Sequence, residues 1–550
     1  MRKIISAALA ILLALAGFAM FAQAQDGSYV TYAQDELYLA YIQDEQSVAY
    51  VQNGQYVTYA QFGAVGDGII CDFSAIIQAH NYANDNNLPV RIRSGGTYRI
   101  EGIGQTATIQ TSTDWGDARF IVDNAVVPYA QRSHNIFVVT SRLAASDLSG
   151  VDTLSIGQEN IGITLPQRSL VFAEDDNVRQ YIRRGHNANQ GTAKRDMFIV
   201  YADGTVCPET PILWDFEQVT SLRAYPIDDD TQLTITGGHF TTIENQSGYE
   251  SYFGRGLQIR RSNVVVDGLR HEVADEVPGL APPNSGFMII SNAVDVTVQN
   301  SDFAGRIRAR HGSYDIQMSG VANILFYNIG QTNCIHDWER WGIMGANRGR
   351  NIVFDNVEIS RFDFHSALNN ATIRNSTIGH SGIAIIGGGT LLIENTTVYS
   401  GSMINLRHDQ GSSWNGDVYI TNSTFRPNHG GDVVLINITN DGRHDFGMPT
   451  YMPRNVTIDG LHIYDGHAGF FRRSMPFYHW RPAVFGTNHQ YGNDALLVTL
   501  LWDAITNCRP PYAMQRTESI TVSNITTESG RRLSTSKNIW RFWNMRITRT

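Results

Sequence analysis

Four short segments in the second half of the chain hold an uncommon density of ionisable side chains. They are residues 306–311 (including Arg306, Arg308 and His311), His336-Asp337-Trp338-Glu339-Arg340, Arg361-Phe362-Asp363-Phe364-His365 and Gly379-His380-Ser381-Gly382; Arg407-His408-Asp409 follows later. The chain as a whole is only 17% charged, against roughly 25% in ordinary globular proteins. Two chemistries suit these residue types. Hydrolysis of a glycosidic bond takes two carboxyl groups whose environments split them into an acid and a base; Asp337 or Glu339 with Asp363 is the near pair, and Asp337 with Asp409 a wider one. Elimination from a uronic acid takes instead a base for the C5 proton and a cation for the substrate carboxylate. Histidine as a residue type titrates near neutral pH, which makes His365 or His380 the candidate base, and Arg340, Arg361 and Arg407 can grip a carboxylate bidentately. A lysine base is nearly excluded: of 42 basic residues only Lys3, Lys194 and Lys537 are lysines, which leaves 39 arginines, and all three lie outside these segments. Trp338, Trp341 and Trp414 suit stacking on the apolar faces of sugar rings and suit a core equally well. His311, His336 and His408 lack a close metal-binding spacing, so no metal is assigned. Ca²⁺ needs several oxygen ligands. Its candidate positions are Glu174-Asp175-Asp176 and Asp228-Asp229-Asp230, which have no EF-hand pattern and read better as solvated loops.

Such scattered residues do chemistry only if the fold gathers them, and a repeat supplies the means. Segments with alternate apolar positions end in Asn at Asn300, Asn328, Asn356, Asn375, Asn395, Asn422 and Asn524, and end in Gly at Gly268 and Gly460. Alternation of period two marks a strand with one buried face. Asn tolerates the left-handed conformation of a tight turn and bonds laterally. A strand, an Asn turn and a second short strand recurring every 19–28 residues describe one coil of a solenoid, which buries its face against its neighbours. Coils stacked about 4.8 Å apart put successive asparagines over one another as a ladder. On that reading the amides point inward, which excludes glycans from the Asn-x-Ser/Thr sites at Asn375, Asn395, Asn422 and Asn524. The ionisable segments then line one wall. Carboxylates on adjacent coils would stand about 5 Å apart, near the retaining-glycosidase separation of about 5–5.5 Å; two coils apart they would stand about 10 Å, just above the inverting range. The fold class is all-β, a parallel β-helix.

The segment Gln61-Phe-Gly-Ala-Val-Gly-Asp-Gly68, with Asp72-Phe-Ser-Ala-Ile-Ile-Gln78 and Gly95-Gly-Thr-Tyr-Arg-Ile100, resembles the opening of pectate-lyase-superfamily proteins. The resemblance implies a right-handed parallel β-helix over residues 61–530, with a short helix at residues 74–83 plugging the first coil. Cys71 stands where that family usually has a first acidic residue. The family fold carries both uronate elimination and glycoside hydrolysis, so it does not choose between them.

Residues 1–24 read as a secretory leader: Arg2 and Lys3, an apolar run from Ile4 to Phe21, then Ala22-Gln23-Ala24. No later stretch is long and apolar enough to span a membrane. Residues 25–60 hold near-repeats such as Tyr29-Val-Thr-Tyr-Ala-Gln34 and Tyr56-Val-Thr-Tyr-Ala-Gln61, a capping or attachment ribbon. Residues 101–250 read as less regular strands with long loops, residues 466–516 as an aromatic insertion, and residues 531–550 as a C-terminal tail. Cys71, Cys207, Cys334 and Cys508 allow three pairings or none. A net charge of −10, from 42 basic and 52 acidic residues, argues against general nucleic-acid binding. No nucleophile elbow, phosphate loop or dinucleotide fingerprint is present. The expected function is therefore that of a secreted enzyme cleaving a polysaccharide, with elimination ahead of hydrolysis because arginines dominate the wall. A non-catalytic glycan-binding or adhesin-type solenoid is the alternative.

Overall fold

A computed structural model of the chain describes residues 56–92, 95–101, 104–181, 191–309, 311–407, 413–428, 433–438, 450–466, 482–485, 514–515, 517–536 and 546–549. The leader, the ribbon up to residue 55, Asp409, His408, Cys508 and most of residues 466–516 lie outside these. Among the described residues no helix is long and apolar enough to cross a membrane.

The architecture is clearest where the coils are longest. Met288–Phe303, Ile316–Gln331 and Met344–Ile359 pair in parallel along nearly their full length, with Val298, Phe326 and Phe354 in one column. Each is a single ribbon bent into three faces. The bends fall where the backbone is left-handed, at Asn292, Asp295 and Asn300 in the first ribbon, a conformation that costs L-residues other than Asn and Asp most. The first face is residues 288–291, the second 296–299 and the third 301–303, and a loop then climbs to the next coil. Alternate residues of every face turn inward, so the interior is a continuous stack of Val, Ile, Leu and Phe, with Phe326 over Phe354 at 4.6 Å.

Two ladders run along the bends. Nδ2 of Asn328 donates to Asn300 at 2.8 Å and Nδ2 of Asn356 to Asn328 at 3.1 Å; Asn395 continues on Asn375 at 3.2 Å. A second ladder, which the repeat did not reveal, joins Asn323, Asn351 and Asn370 to Asp295 at 2.9–3.0 Å. The first ladder corrects one expectation. Its asparagines are exposed at the corner, with amides directed along the stack and not into the core, so burial does not exclude glycans at Asn375, Asn395, Asn422 or Asn524. Replacing Asn328 by Ala forfeits both of its lateral hydrogen bonds, to Asn300 and from Asn356, and adds left-handed strain, about 2–4 kcal/mol together. The urea midpoint of Asn328→Ala should therefore fall further than that of Asn328→Gly, which keeps the backbone conformation at ease.

The helix Phe73–Asn86 closes the first coil as expected, burying Phe73, Ile76, Ala79 and Ala83. Nε2 of His80 meets the Tyr59 hydroxyl at 2.9 Å, and Nε1 of Trp115 donates to the same oxygen at 2.8 Å. Burial pushes His80 down to about 3, so the plug carries a neutral imidazole. The opening motif serves this plug: Asp72, ahead of the helix, accepts the Val65 amide at 2.6 Å. Residues 101–250 are more regular than expected. They supply full coils, such as Thr113–Asp123 and Leu233–Ile243, interrupted by one antiparallel four-stranded excursion: Ser146–Asp147, Ser221–Pro226, Ser169–Tyr181 and Thr192–Val200. Leu170, Met197 and Ile199 seat the excursion on Val294 and Ala322, and a buried Arg350–Asp196 ion pair pins it. At the other end Ser534–Ser536 and Arg546–Arg549 pair onto preceding coils, so the stack runs past residue 530. Cys71, Cys207 and Cys334 carry free thiols.

Candidate functional site

The loops from the third face to the next first face differ in length, and that difference builds the site. Residues 332–343 form a long loop, whereas Ile359 and Phe362 are joined by Ser360 and Arg361 alone. The long loop therefore overhangs the short connection and rests on the turn after it: the Ile335 carbonyl accepts the His380 amide at 3.1 Å and faces its Nδ1 at 2.9 Å. Beneath the overhang the outward column of the first face passes Gln317, Gly345, Asp363, Ala384, Asn405 and Asn437.

Asp363 is the only ionisable residue of that column and is fully buried. Its Oδ2 lies 2.5 Å from Nη2 of Arg361 and 3.0 Å from Nε2 of His365, and its Oδ1 lies 2.6 Å from Nη1 of Arg407. Burial by itself would raise this carboxyl; the Arg361 and Arg407 charges, with His365, outweigh it and hold the group well below the usual carboxylate range. Because Asp363 stays ionised, its bond to His365 fixes the proton on Nε2 and leaves Nδ1 with the lone pair, an assignment made from the hydrogen-bond network. Tyr314 completes the group, its hydroxyl 3.4 Å from Nε2 of His365. The tyrosine ring occupies the space over Gly345, where a Cβ would meet it at 2.6 Å. Burial, then the Asp363 charge, pushes Tyr314 up to about 12. Trp341 borders the group, 5.7 Å from the guanidinium carbon of Arg361 and 5.8 Å from that of Arg308.

The structure gathers Arg361, Asp363, His365, Arg407 and Trp341, and rearranges the rest. Asp337 does not pair with Asp363. It caps its own turn, accepting the Glu339 amide at 3.0 Å and Nε of Arg340 at 3.1 Å, whereas Asp363 is bonded by Arg361, His365 and Arg407. Glu339 is exposed. Arg340 is a staple and not an open clamp, bonding Glu276 at 2.7 Å and the Gly305 carbonyl at 2.6 Å. Trp414 is fully buried in the core, so it offers no sugar platform. Trp338 is 55% exposed and lies 5.5 Å from His380, a histidine whose pKa burial lowers. The expected acidic runs are answered by arginines: Glu174 by Arg195 at 2.8 Å and Asp228 by Arg261 at 3.6 Å. Among the described residues no group of His, Cys, Asp or Glu is placed to hold a metal ion. Arg308 lies in the ionisable segment 306–311, whereas Tyr314 was not legible, because it sits in no periodic segment.

Below the loops lies a second, fully buried network. Arg306 bonds Glu244 at 2.6 Å and Asp315 at 2.9 Å, and Asp315 meets Nδ1 of His271 at 2.6 Å. It anchors the backbone around Asp315, which carries Tyr314 next to it.

No protein-family model matches the sequence. Among solved structures, the tailspike protein gp49 of Pseudomonas phage LKA1 superposes with a TM-score of 0.51 at 16% identity, covering 86% of this chain and 81% of that one. The fold is a right-handed parallel β-helix. The gp54 tailspike of Acinetobacter baumannii bacteriophage AP22, solved with a capsular saccharide, gives a TM-score of 0.48 at 9% identity, covering 86% of this chain and 75% of that one. Among curated proteins, the capsule KL64-specific depolymerase of Klebsiella phage P510 is 24% identical over 175 residues, 27% of this chain. The match spans 17% of that protein's length.

Proposed function

We propose that the β-helix is a polysaccharide-cleaving enzyme that acts by β-elimination on a glycan containing uronic acid. One observation carries the reading: two arginines and a histidine converge on a single buried carboxylate at the foot of the overhanging loop. Paired guanidinium groups at the foot of the loop are suited to bidentate recognition of a substrate carboxylate. A hydrolase would need a carboxyl group able to hold a proton near neutrality, and Asp363 is held in the opposite direction. The likeness to a capsule depolymerase supports a glycan polymer as substrate.

In this mechanism the guanidinium groups of Arg361 and Arg407 hold the uronate carboxylate and draw charge from C5 as its proton leaves. Nδ1 of His365 takes that proton; the C5–H electron pair becomes the C4=C5 double bond, and the C4–O bond breaks. Tyr314, still protonated because its pKa is raised, gives its proton to the departing oxygen. The imidazolium then releases the Nδ1 proton to solvent, and the tyrosinate takes a proton from solvent, which restores the Nε2–H tautomer of His365 and the protonated Tyr314. Incubation with alginate, polygalacturonate or hyaluronan should generate the ultraviolet absorbance of an unsaturated uronate. His365→Ala should slow that by about 10²–10⁴-fold, the usual share of a general base. New reducing ends without the chromophore would count for hydrolysis and against elimination.

A further inference from the structure

The loops that precede the site carry a row of aromatic rings which neither the core nor the proposed chemistry uses. Tyr129, in residues 124–136, is 43% exposed, and Tyr249 and Tyr252, in residues 244–256, are each 37% exposed. These rings are fixed in place. The Arg132 guanidinium lies 3.8 Å from the centre of the Tyr129 ring, Tyr249 meets that ring edge-on at 5.1 Å, and the Tyr129 hydroxyl bonds Ser251 at 2.8 Å. Phe253, wholly buried, lies nearly parallel to Tyr249 at 6.3 Å. Rings held this way lose little freedom on binding, which is the advantage of a preorganised surface.

The row is continuous with the site. Tyr252 stacks on His311 at 6.4 Å, and His311 opens the short stretch that ends at Tyr314 beside His365. Between residues 124–136 and Asp363 lie five successive coil pairings, roughly 24 Å at about 4.8 Å per coil. That distance spans several pyranose rings. Flat rings with hydroxyl groups at their edges match the apolar C–H faces and polar rims of sugars, and Arg132 adds a positive charge for an acidic chain.

We infer that Tyr129, Tyr249 and Tyr252, with Arg132, form a distal subsite that grips an acidic polysaccharide several residues from the bond being cleaved. The inference rests on the polysaccharide reading above. It predicts that the enzyme distinguishes long chains from short ones through this surface.

The test is affinity electrophoresis of the full chain in gels cast with alginate, polygalacturonate or hyaluronan. The wild type should be retarded in at least one gel. Tyr129→Ala/Tyr249→Ala should bind that polymer about tenfold more weakly, on the scale of losing a pair of aromatic anchors, while Tyr129→Phe/Tyr249→Phe stays retarded. On short oligouronates the Ala variant should keep its kcat, with the rise in KM confined to the polymer. Equal mobility of wild type and Ala variant in every gel overturns the subsite, whatever the cleavage assay shows. Loss of retardation in the Phe variant overturns it too, because the rings would then not be the binding element. Retardation without unsaturated product overturns the elimination mechanism and leaves the subsite standing.

Discussion

Asp363→Asn should bind an acidic glycan at least as tightly as the wild type and turn it over about 10²–10⁴-fold more slowly, the range set by loss of an oriented general base. The carboxylate does two jobs in the geometry above. It offsets one guanidinium charge, and it holds the Nε2–H tautomer of His365. Asn fills the same volume without the charge, so Arg361 and Arg407 gain attraction for substrate while the imidazole loses its fixed orientation. A fall in kcat with KM unchanged or lower is the signature; wild-type kcat in this variant would remove Asp363 from the mechanism. Asp363→Ala should fare worse in stability, because two arginines are left facing a cavity without their counter-charge, a cost of about 3–5 kcal/mol for breaking a buried pair. The pH dependence follows in sign. A carboxyl group held below its unfolded value, about 3.9, contributes stability that is complete above that pH and fades as pH falls toward the folded value. Acid titration below about pH 4 should therefore cost the wild type more stability than Asp363→Asn, as read from thermal melts.

The β-helix was legible because its physics is periodic. A ribbon buried on one face must alternate, and a corner needing left-handed backbone selects Asn, so Asn300, Asn328 and Asn356 announce both the strand and its bend. Their direction was misjudged for the same reason that they are useful: a left-handed corner turns the amide along the stack, at the surface. The half of the site on regular coils was equally legible. Arg361, Asp363, His365 and Arg407 lie in or next to paired strands, and register brings them together. Trp414 could have been placed by parity, since it falls in phase with the inward Val418 and Ile420. The remainder sits in loops. Residues 332–343 have no period, and nothing in Asp337, Glu339 or Arg340 says that the loop vaults a two-residue connection. Tyr314 depends on the missing side chain of Gly345 one coil away, a fit visible only in three dimensions.

The same dependence of the site on its loops sets up the largest loss of stability expected from one substitution. Arg306 lies 2% exposed between Glu244 and Asp315, and His271 beyond them stacks flat on Phe287 at 3.8 Å. Burial pushes Glu244 up, against the pull of Arg306; Asp315 is held down by His271 and Arg306 in spite of burial. Arg306→Met preserves much of the volume and strands two carboxylates with one histidine. Breaking a buried pair costs about 3–5 kcal/mol, and here one residue serves two. Glu244 and Asp315 should respond by holding protons in the folded state, their pKa values raised above those of the unfolded chain. A raised carboxyl contributes stability at low pH that disappears as pH rises through its folded value. The melting temperature of Arg306→Met should therefore climb as pH falls from about 8 to about 5, the opposite of the loss expected when a salt-bridged carboxylate is protonated. Adding Glu244→Gln and Asp315→Asn should flatten that slope and recover part of the stability, since removing all the charges together leaves none of them unpaired. Turnover should fall in the single variant even at temperatures where it remains folded, because Tyr314 is carried on the backbone next to Asp315. A single variant with wild-type melting and no reversed slope would mean that Arg306 does not hold these loops, and the position of Tyr314 would then need another cause.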